Sequence, residues 1–439
     1  MRTSMMIKDF QALLDTESPT GSRSPVALSG RELAELLSPI SCEEFAESYF
    51  SRLSLYVKGH PGKFDHVFNW ESLKRALSNG RNIQDKRFNL KASYASGEES
   101  GSSKPMFDVS IDQVGELLNS GATICITNIH MADRDLARWA HAIRGQLNFT
   151  GTVGVNCYVS PDGAGLPMHY DKRVATTLQL AGKKRWIFST TPSKGWPGTN
   201  GLYKDGRIEP PEAADGKRPD ELALREVELS PGDLLCLPAG TWHAARGVGF
   251  SLALNLYFAP RNFFDQLAPL FVEYAASKEN WRGGPPVEVG RIQGKMPGAI
   301  SGYLRERLDE FHQVIRNMLE QPDTLGASWL NSLIHTPYTG WQPGPVMQPP
   351  KATAEDRFRV ARETLRFIET QDKVLVPSDH GLLKFPIALA PMLHRLASEK
   401  APVSVPEILS WRPEPDEPPA KEVVAALQVL YSIGVLEKV

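Results

Sequence analysis

The sequence contains neither a long apolar run nor the pattern of a secretory leader. No stretch of about twenty consecutive apolar residues occurs, so no membrane-spanning helix is predicted. The N-terminal residues Met1–Ser4 are followed closely by Lys8 and Asp9, which interrupt any apolar core of a signal peptide. We therefore expect a protein that is neither inserted in a membrane nor exported.

Cysteine is scarce in this chain. The four cysteines are scattered and form no C-x-x-C pair; they are Cys42, Cys125, Cys157 and Cys236. Such usage argues against a disulfide framework and is typical of reduced, buried thiols. We therefore expect a cytoplasmic protein.

There is no excess of charge of either sign, because 49 Lys and Arg residues face 51 Asp and Glu residues. This balance gives no electrostatic footprint for a nucleic acid or a membrane surface. A hydrophobic content of 41% and a charged content of 23% are those of a soluble globular protein. The length of 439 residues is enough for two or three domains.

A His-x-Asp pair lies within the segment Asn156–Phe188, at His169 and Asp171. In a strand, residues i and i+2 point to the same side, so this pair would project an imidazole and a carboxylate from one face. A second segment, Leu229–Phe258, supplies His243. Two histidines and one aspartate are the facial ligand set of non-haem Fe(II) oxygenases, which leaves metal positions open. Alone, a His-x-Asp pair is a weak signal that also fits a hydrogen-bonded pair in a surface loop.

The surroundings of His243 favour the metal interpretation. Pro231–Asp233 has turn chemistry, and Leu234–Leu237 has the length and composition of a buried strand. Pro238–Gly240 forms a second turn, and His243 follows at the start of the next strand. We therefore predict that His243 is a metal ligand, against a purely structural histidine.

Lys184 lies on an apolar strand face. Gly182 predicts a hairpin turn after a strand over Ala175–Leu180, and in the following strand Lys184 shares one face with Trp186 and Phe188. An unpaired ammonium on an apolar side is costly, so we expect Lys184 to pair with an anion in the interior. The alternative is that its side chain extends to water at the strand end.

Asn156 and Tyr158 are also two residues apart, on the strand that leads to the His-x-Asp pair. Both side chains could hydrogen-bond a carboxylate. The alternative for each is ordinary strand packing or an internal hydrogen bond.

These motifs follow an order that resembles the JmjC-type cupin oxygenases. The order is N-x-Y, a Gly/Pro loop, H-Y-D, L-Q-x-x-G-K-K-R-W and P-G-D-x-L-x-L-P-x-G-x-x-H. Within that family the chain is most similar to the ribosomal-oxygenase branch and its bacterial relatives. The resemblance is close over residues 150–260 and looser upstream, at Phe68–Leu73 and Gly121–Ile124. It implies a mainly β core, a double-stranded β-helix or cupin jelly roll.

The resemblance also implies roles for the residues of the two segments. His169, Asp171 and His243 match the iron ligands of the family. Lys184 matches the lysine that pairs with the distal carboxylate of 2-oxoglutarate. Halogenating relatives lack the carboxylate that Asp171 provides here, so its presence indicates oxygen transfer.

Asn156 and Tyr158 match the Asn-x-Tyr that lines the co-substrate site in the family. The chain departs from the family pattern at Lys172–Val174, where relatives usually continue H-Y-D with a polar residue, His and Asp. It departs again on the last strand, where Asn255 and Tyr257 stand in place of the usual Thr or Ser. We include Asn255 among the expected co-substrate residues.

The resemblance implies an Fe(II)- and 2-oxoglutarate-dependent dioxygenase. Such an enzyme would use O2 to hydroxylate a side chain of a protein or peptide and would release succinate and CO2. A ribosomal protein and a ribosomally made natural-product precursor are candidate substrates, and demethylation is a variant of the same chemistry. Two alternatives stay open: hydroxylation of a free amino acid or small metabolite, and a non-catalytic metal-binding cupin adaptor.

We predict three domains, a catalytic domain over residues 1–262, a helical segment over 263–345 and a C-terminal domain over 346–439. A polar lead-in through residue 29 precedes the helical flank of the first domain. The predicted helices of this flank are Arg31–Leu37, one opened by a capping box at Ser41, Trp70–Leu77, Ile111–Leu118 and Ala132–Leu147. The flank also contains an exposed loop over 93–105 and a strand over Ala122–Thr127.

A long insert, Thr190–Glu221, separates the two metal-ligand segments. It is rich in Pro, Gly and charge and has no apolar periodicity, so we expect it to be either functional or disordered. Its aromatic residues Trp196 and Tyr203 either contact a substrate or fix the insert to the barrel.

Helices are predicted after Pro260. The first covers Phe263–Ala276. A later one carries a heptad-like apolar seam, made of Leu304, Leu308, Phe311, Ile315 and Met318. Such a seam packs within one chain or joins two chains, and the resemblance implies a homodimer.

The C-terminal domain follows a Pro/Gly-rich linker over 338–353. Its predicted elements are a helix over Lys384–Ser398, a capping-box helix from Ser404, a helix over Glu422–Ile433 closed by Gly434, and a final strand. This order resembles a winged helix. The charges of the domain are balanced, which favours packing or protein interaction over DNA binding.

Overall fold

The computed structural model describes residues 28–94, 106–287, 289, 294, 296–320, 322–334, 353, 355–360, 365–378, 381–399, 401–412 and 418–439. The chain forms two compact units, with the first ending at Pro260 and the second beginning at Arg261. The predicted lead-in and the linker over 338–353 lie almost wholly outside the described residues. The domain boundary near residue 345 lies there too and stays a prediction.

Helices form the N-terminal flank of the first unit, as predicted. They are α1 Glu32–Leu37, α2 Cys42–Glu44, α3 Trp70–Gly80, α4 Val114–Asn119 and α5 Arg134–Gln146. Side-chain caps begin three of them: Ser41, Asn69 and Asp133 accept hydrogen bonds from the amides of Glu44, Ser72 and Leu136, each at 3.0 Å. The apolar sides of these helices share one core with the sheet behind them.

Twelve strands form the sheet of the first unit, and all their pairings are antiparallel. They are β1 Leu55–Val57, β2 Asn89–Tyr94, β3 Phe107–Val109, β4 Ala122–Thr127, β5 Thr152–Ser160, β6 Gly165–Tyr170, β7 Val174–Ser189, β8 Gly201–Lys204, β9 Arg207–Glu209, β10 Leu224–Leu229, β11 Leu234–Leu237 and β12 His243–Ala259. The long strands β7 and β12 pair along their length and belong to two layers. One layer adds β11, β5, β4 and β2, and the other adds β10, β6 and β8. The predicted jelly-roll core is confirmed.

The predicted hairpin at Gly182 is wrong. β7 runs from Val174 to Ser189 without reversing. Gly182 has a φ of 62°, and the pairing with β12 shifts register opposite it, between Val248 and Leu252. A glycine inside a strand marks a bulge as readily as a turn. Here the bulge lets one strand pass from one layer to the other.

The two faces of the larger layer differ in character. The residues that pack on the helices are apolar: Val153, Val155, Cys157 and Val159 on β5, and Leu252, Leu254, Leu256 and Phe258 on β12. Side chains alternate along a strand, so Asn156, Tyr158, Asn255 and Tyr257 point to the opposite side, between the two layers. This alternation places a polar surface inside the barrel.

The long insert has its own structure, so the alternative of a disordered insert is wrong. β8 and β9 form a hairpin, and β8 pairs with β6 through His169 and Leu202. The few apolar residues of this region gather in a small core around Tyr170, Ala213 and Trp242. A core of so few residues, far apart in the sequence, produces no apolar periodicity.

The second unit begins with helices and continues with short strands. Its helices are α6 Phe263–Ser277, α7 Glu279–Arg282, α8 Gly298–Glu320, α9 Pro322–Ile334, α10 Ala390–Ser398, α11 Val405–Leu409 and α12 Ala420–Ser432. Its strands are β13 Arg357–Val360, β14 Ile368–Glu369, β15 Lys373–Ser378, β16 Gly381–Pro386, β17 Val403–Ser404 and β18 Leu436–Lys438. None of the helices in the described parts of the chain is long and apolar enough to span a membrane.

Two predicted elements begin later in the structure than expected, a helix in the second unit and a loop in the N-terminal flank. The predicted helix Lys384–Ser398 begins only at Ala390, because residues through Pro386 pair with β15 as strand β16. Pro391 then lies in the first helical turn, where a missing N–H costs nothing. In the flank, Ser93 and Tyr94 belong to β2 rather than to the predicted loop, of which residues 95–105 lie outside the described part.

The predicted seam of α8 is only partly covered. Phe311 packs on Phe271 of α6 with ring centroids 4.7 Å apart. Leu304 and Leu308 are 43% and 65% exposed.

The predicted ends of two C-terminal helices are also found. The capping box at Ser404 is present, and Gly434 follows α12 with a φ of 69°. The homodimer and the winged-helix assignment stay predictions.

Candidate active site

The two predicted histidine ligands face each other across neighbouring strands. His169 near the end of β6 and His243 at the start of β12 are register partners, and their ring centroids lie 4.2 Å apart. Asp171 follows β6 by one residue. One ligand atom from each of the three lies within 4.8 Å of the others. The structure therefore brings His169, Asp171 and His243 together, as the sequence predicts.

Backbone carbonyls orient both imidazoles. Nδ1 of His169 lies 2.8 Å from the Pro167 carbonyl, and Nδ1 of His243 lies 2.8 Å from the Thr241 carbonyl. Each ring therefore donates its Nδ1–H and presents a bare Nε2, the arrangement typical of metal-binding histidines. Burial, helped by the charge of His169, lowers the pKa of His243 to about 4. A neutral imidazole is the form that binds a metal.

Asp171 is tied to the turn that precedes His243. The Gly240 amide donates a 2.8 Å hydrogen bond to the Asp171 carbonyl oxygen. Burial raises the pKa of the Asp171 carboxyl, but the charge of Arg173 and of the two imidazoles outweighs this effect, so the pKa lies below its usual value. The carboxylate is thus held ionised beside the two rings.

Lys184 lies inside the barrel, so the alternative of a side chain extended to water is wrong. The residue is 4% exposed, and its Nζ lies 5.4 Å from the centroid of the Tyr158 ring. Among the described residues no carboxylate pairs with this ammonium. Burial lowers its pKa to about 8. A buried cation without a counter-ion is a ready site for an anionic group.

Asn156 and Asn255 are opposite each other on β5 and β12. Oδ1 of Asn156 accepts a 3.0 Å hydrogen bond from the Asn128 amide, so the alternative of an internal hydrogen bond holds for Asn156. Oδ1 of Asn255 is buried and has no hydrogen-bond partner among the described residues. Asn255 therefore keeps an acceptor for a bound molecule, while the Asn156 oxygen is already used.

Trp186 is a site residue that the sequence analysis did not single out. Its ring stacks on His243, with centroids 5.9 Å apart and planes 29° apart. Its buried Nε1 has no hydrogen-bond partner in the described part of the chain. The signal was available, because Trp186 lies two residues after Lys184 and therefore on the same face of β7.

Arg173 and Tyr257 form a second feature that went unpredicted. The Arg173 guanidinium lies over the Tyr257 ring at 3.9 Å, and the Tyr257 hydroxyl donates a 2.5 Å hydrogen bond to Oδ1 of Asn128. Gly154 leaves room for this arrangement, because a Cβ on it would lie 2.4 Å from the Tyr257 hydroxyl. These residues line the cavity on the side of Asp171.

The two aromatic residues of the insert behave differently. Tyr203 packs edge-on against Trp242, with centroids 6.0 Å apart, so it fixes the insert to the barrel. Trp196 is 44% exposed and has a φ of 46°. Contact with a substrate stays a prediction for Trp196.

The donor set fits a metal and a bound diacid. Two imidazole nitrogens and one carboxylate on one side of an ion leave its remaining positions open, and this set is typical of non-haem Fe(II) sites. The Lys184 ammonium and the Asn255 oxygen are also buried in the barrel, and neither has a partner among the described residues. The polar groups of the barrel can therefore bind a metal at one place and a carboxylate at another.

Part of the chain matches a known domain family. Residues 130–265 match the JmjC domain family. The chain is 24% identical over 306 residues to uncharacterized protein YxbC of Bacillus subtilis, a match that covers 68% of this chain and 90% of that protein. It is 26% identical over 311 residues to ribosomal oxygenase 1 of Gallus gallus, covering 67% of this chain and 48% of that protein. The chain thus spans about half the length of that ribosomal oxygenase.

A solved structure shares the fold over most of the chain. It is YcfD, a ribosomal oxygenase from Escherichia coli in complex with cobalt and 2-oxoglutarate. The TM-score is 0.51 at 13% identity, and the match covers 91% of this chain and 98% of that one. The structural match shows a common fold, and at this low sequence identity it shows no more than the fold.

Proposed function

With a JmjC-type cupin domain at residues 130–265 as the premise, we propose that this protein is an Fe(II)- and 2-oxoglutarate-dependent oxygenase. The observation that carries the proposal is the presence of two complementary sites inside one barrel. The cluster of His169, Asp171 and His243 suits a metal. The buried, unpaired ammonium of Lys184 suits the far carboxylate of a diacid.

In this proposal one group of residues binds the metal and another binds 2-oxoglutarate. His169, Asp171 and His243 hold the metal on one side. Lys184 pairs with the distal carboxylate of 2-oxoglutarate, and Asn255 offers its free oxygen to the same molecule or to a water bound with it. Iron(II) bound at this cluster would activate O2 with 2-oxoglutarate, which leaves as succinate and CO2 while the substrate is hydroxylated.

The surrounding side chains keep the reacting atoms dry and fixed. Trp186 lies against His243 and narrows the space beside the metal position. Phe188 and Leu235 belong to the apolar cluster that closes the barrel behind it. Exclusion of water strengthens every charge interaction inside the cavity and limits side reactions.

We propose a side chain of a protein or peptide as the substrate. The names of relatives support this class, since ribosomal oxygenase 1 of Gallus gallus and the bifunctional lysine-specific demethylase and histidyl-hydroxylase NO66 of Dictyostelium discoideum match the chain. The four cysteines are free thiols, which supports the proposed cytoplasmic location. The exposed residues Leu304 and Leu308 of α8 support the proposed homodimer.

The test is an anaerobic titration of metal-free protein with Fe(II) and then with 2-oxoglutarate. Chelation of the metal by 2-oxoglutarate produces a visible charge-transfer band, from which its Kd is read. Wild type should give the band, and Lys184→Ala should raise the Kd by about 10- to 100-fold, the effect of a lost charge-assisted hydrogen bond.

The matched control is Lys183→Ala. Lys183 is an exposed neighbour whose Nζ pairs with Glu228 at 2.7 Å, so this variant should leave the Kd unchanged. Iron that binds without any band on addition of 2-oxoglutarate would contradict the proposed co-substrate. It would favour a non-catalytic metal-binding cupin.

A further inference from the structure

Two cations lie over tyrosine rings at different positions along the inner face of the barrel. On β7, Phe188 is paired with His243, whereas Lys184 is paired with Gly247, four residues nearer the bulge. The Lys184 ammonium lies over Tyr158 of β5, whose partner on β12 is Ala253. Lys184 therefore lies near the bulge.

Arg173 lies farther from the bulge than Lys184 does. Its guanidinium stacks on Tyr257, which pairs with Ala175 at the beginning of β7 and lies four residues beyond Ala253 on β12. Four residues of strand span about 13 Å. Asp171 and Arg173 are partly buried and Lys172 is exposed, so the segment that carries Arg173 is more accessible to solvent than Lys184, which is 4% exposed.

The Arg173 guanidinium is held in place by stacking, but its hydrogen-bond donors are still available. Stacking occupies one face of the group and leaves its N–H donors along the edge. Within the described part of the chain no side chain or carbonyl accepts a hydrogen bond from it, and no carboxylate forms an ion pair with it. An arginine fixed in this way is suited to bidentate recognition of a carboxylate.

Charge balance leaves Arg173 without a counter-ion in the loaded site. If the proposed function holds, iron(II) and Lys184 balance Asp171 and dianionic 2-oxoglutarate. One carboxylate of 2-oxoglutarate is at the metal and the other is at Lys184, so neither is available to Arg173. The surplus positive charge is that of Arg173, which is the more solvent-accessible of the two cations and so the one that a substrate can reach.

We propose that Arg173, clamped by Tyr257, binds a carboxylate of the substrate and thereby makes this an oxygenase of acidic substrates. This inference rests on the proposed function and names its substrate class. The carboxylate is that of an Asp or Glu residue beside the reacting atom in a peptide. A free amino acid supplies the same group, so the experiment includes both sources.

The test measures binding without turnover, on protein loaded with Mn(II) and 2-oxoglutarate. A randomised peptide library is selected on this protein, and a selected acidic peptide is compared by calorimetry with its Asn or Gln counterpart. Free aspartate and glutamate are compared with asparagine and glutamine in the same way. Wild type should prefer the acid about 10- to 100-fold in one of the two series.

The variants assign this preference to one side chain. Arg173→Gln should abolish it, and Arg173→Lys should keep part of it, because an ammonium keeps the charge but lacks the planar fork. Lys172→Gln removes the same charge one residue away and should keep the whole preference. The Kd of 2-oxoglutarate should be unchanged in all three, and the Kd of Mn(II) should be unchanged in Lys172→Gln and Arg173→Lys, which keeps the positive charge beside Asp171.

Three outcomes overturn the inference. One is a wild-type protein that selects no acidic residue and binds neither free acid better than its amide. Another is an Arg173→Gln variant that keeps the preference. The third is an Arg173→Gln variant whose Kd for 2-oxoglutarate rises as much as its Kd for the peptide, which would assign Arg173 to the co-substrate. Failure of the proposed function differs from all three, because wild type would then show no charge-transfer band.

Discussion

His169 and His243 are register partners on antiparallel strands, and each ring is held through Nδ1 by the carbonyl of the residue two positions before it. The sheet sets the 4.2 Å separation of the ring centroids, and the local backbone sets the direction of each Nε2. In both cases the hydrogen-bond partner of Nδ1 is a backbone carbonyl and not a side chain. The metal position is therefore built from two strands and their own carbonyls.

His243→Ala should remove metal binding while leaving the fold intact. The Kd for Mn(II), measured by the loss of the free-ion signal in electron paramagnetic resonance, should rise by more than about 100-fold. A change in an outer-shell residue typically costs only about 10- to 100-fold. His312→Ala, an exposed change on α8, is the control and should leave the Kd unchanged. A His243→Ala protein with wild-type Mn(II) affinity would exclude the cluster as the metal site.

The affinity for 2-oxoglutarate should fall at alkaline pH because of Lys184. Burial lowers the pKa of this ammonium to about 8 in the free protein, so the cation is present below that pH and is lost above it. The Kd for 2-oxoglutarate should be flat below pH about 8 and should rise about tenfold per pH unit above it, until the pKa of the complex is reached.

Lys184→Arg separates this effect from others, because a guanidinium stays charged throughout the range. Its Kd at neutral pH differs from that of wild type if the larger group fits poorly, but its profile should be flat to pH about 9.5. The Mn(II) affinity of both proteins, measured over the same range, corrects for any change at the metal. Parallel profiles for the two proteins would show that Lys184 is not the group that titrates.

The ligand set could be predicted because its signals are local. His169 and Asp171 are two residues apart on one strand face, and Lys184 alternates with exposed neighbours on another. The orienting carbonyls of Pro167 and Thr241 could not be predicted, because a carbonyl belongs to every residue type and its direction comes from the backbone.

The bulge at Gly182 shows a second limit. A glycine with positive φ fits a turn and a bulge equally well, and only the pairing of β7 with β12 along both halves decides between them. The stack of Arg173 on Tyr257 shows a third. It joins the segment after β6 to the end of β12, and a contact between distant segments leaves no local pattern in a single sequence.

The stability of the protein should fall between neutral and mildly acidic pH because of His130. Burial lowers the pKa of this imidazole to about 4, and the Val155 amide donates a 3.1 Å hydrogen bond to its Nδ1. In the unfolded chain His130 is protonated as the pH falls below about 6.5, whereas in the folded chain it stays neutral until about pH 4. The stability contributed by neutral His130 is thus present above that pH and is lost as the pH falls towards 4, by about 2 kcal/mol at pH 5.

His130→Asn is the matched variant, because Asn keeps an acceptor for the Val155 amide but does not titrate. Urea unfolding at pH 7 and pH 5 gives the loss of unfolding free energy for each protein. Wild type should lose about 2 kcal/mol more than the variant over this interval. His243 has a depressed pKa too, but it is present in both proteins and cancels in the difference. Equal losses would show that His130 is protonated in the folded state.

Gly240→Ala should weaken both the fold and the metal site. Gly240 has a φ of 84°, and a Cβ on it would lie 2.1 Å from the Lys194 carbonyl oxygen. The turn must therefore move, and its amide is the donor that holds the Asp171 carbonyl at 2.8 Å. We expect a loss of unfolding free energy above the 1–2 kcal/mol, roughly, of a left-handed alanine, together with a higher Kd for Mn(II).

Gly163→Ala is the control that separates the steric contact of a new Cβ from the cost of placing an alanine at positive φ. Gly163 has a φ of 71°, but nothing lies within 4 Å of a Cβ built on it. This variant should lose only about 1–2 kcal/mol, the cost of an alanine in the left-handed region, and should keep the wild-type Kd for Mn(II). Equal Kd values for the Gly240 and Gly163 variants would mean that the turn before His243 does not position Asp171. A selective loss of Mn(II) affinity in the Gly240 variant would mean that the hydrogen bond from Gly240 couples the two ligand segments.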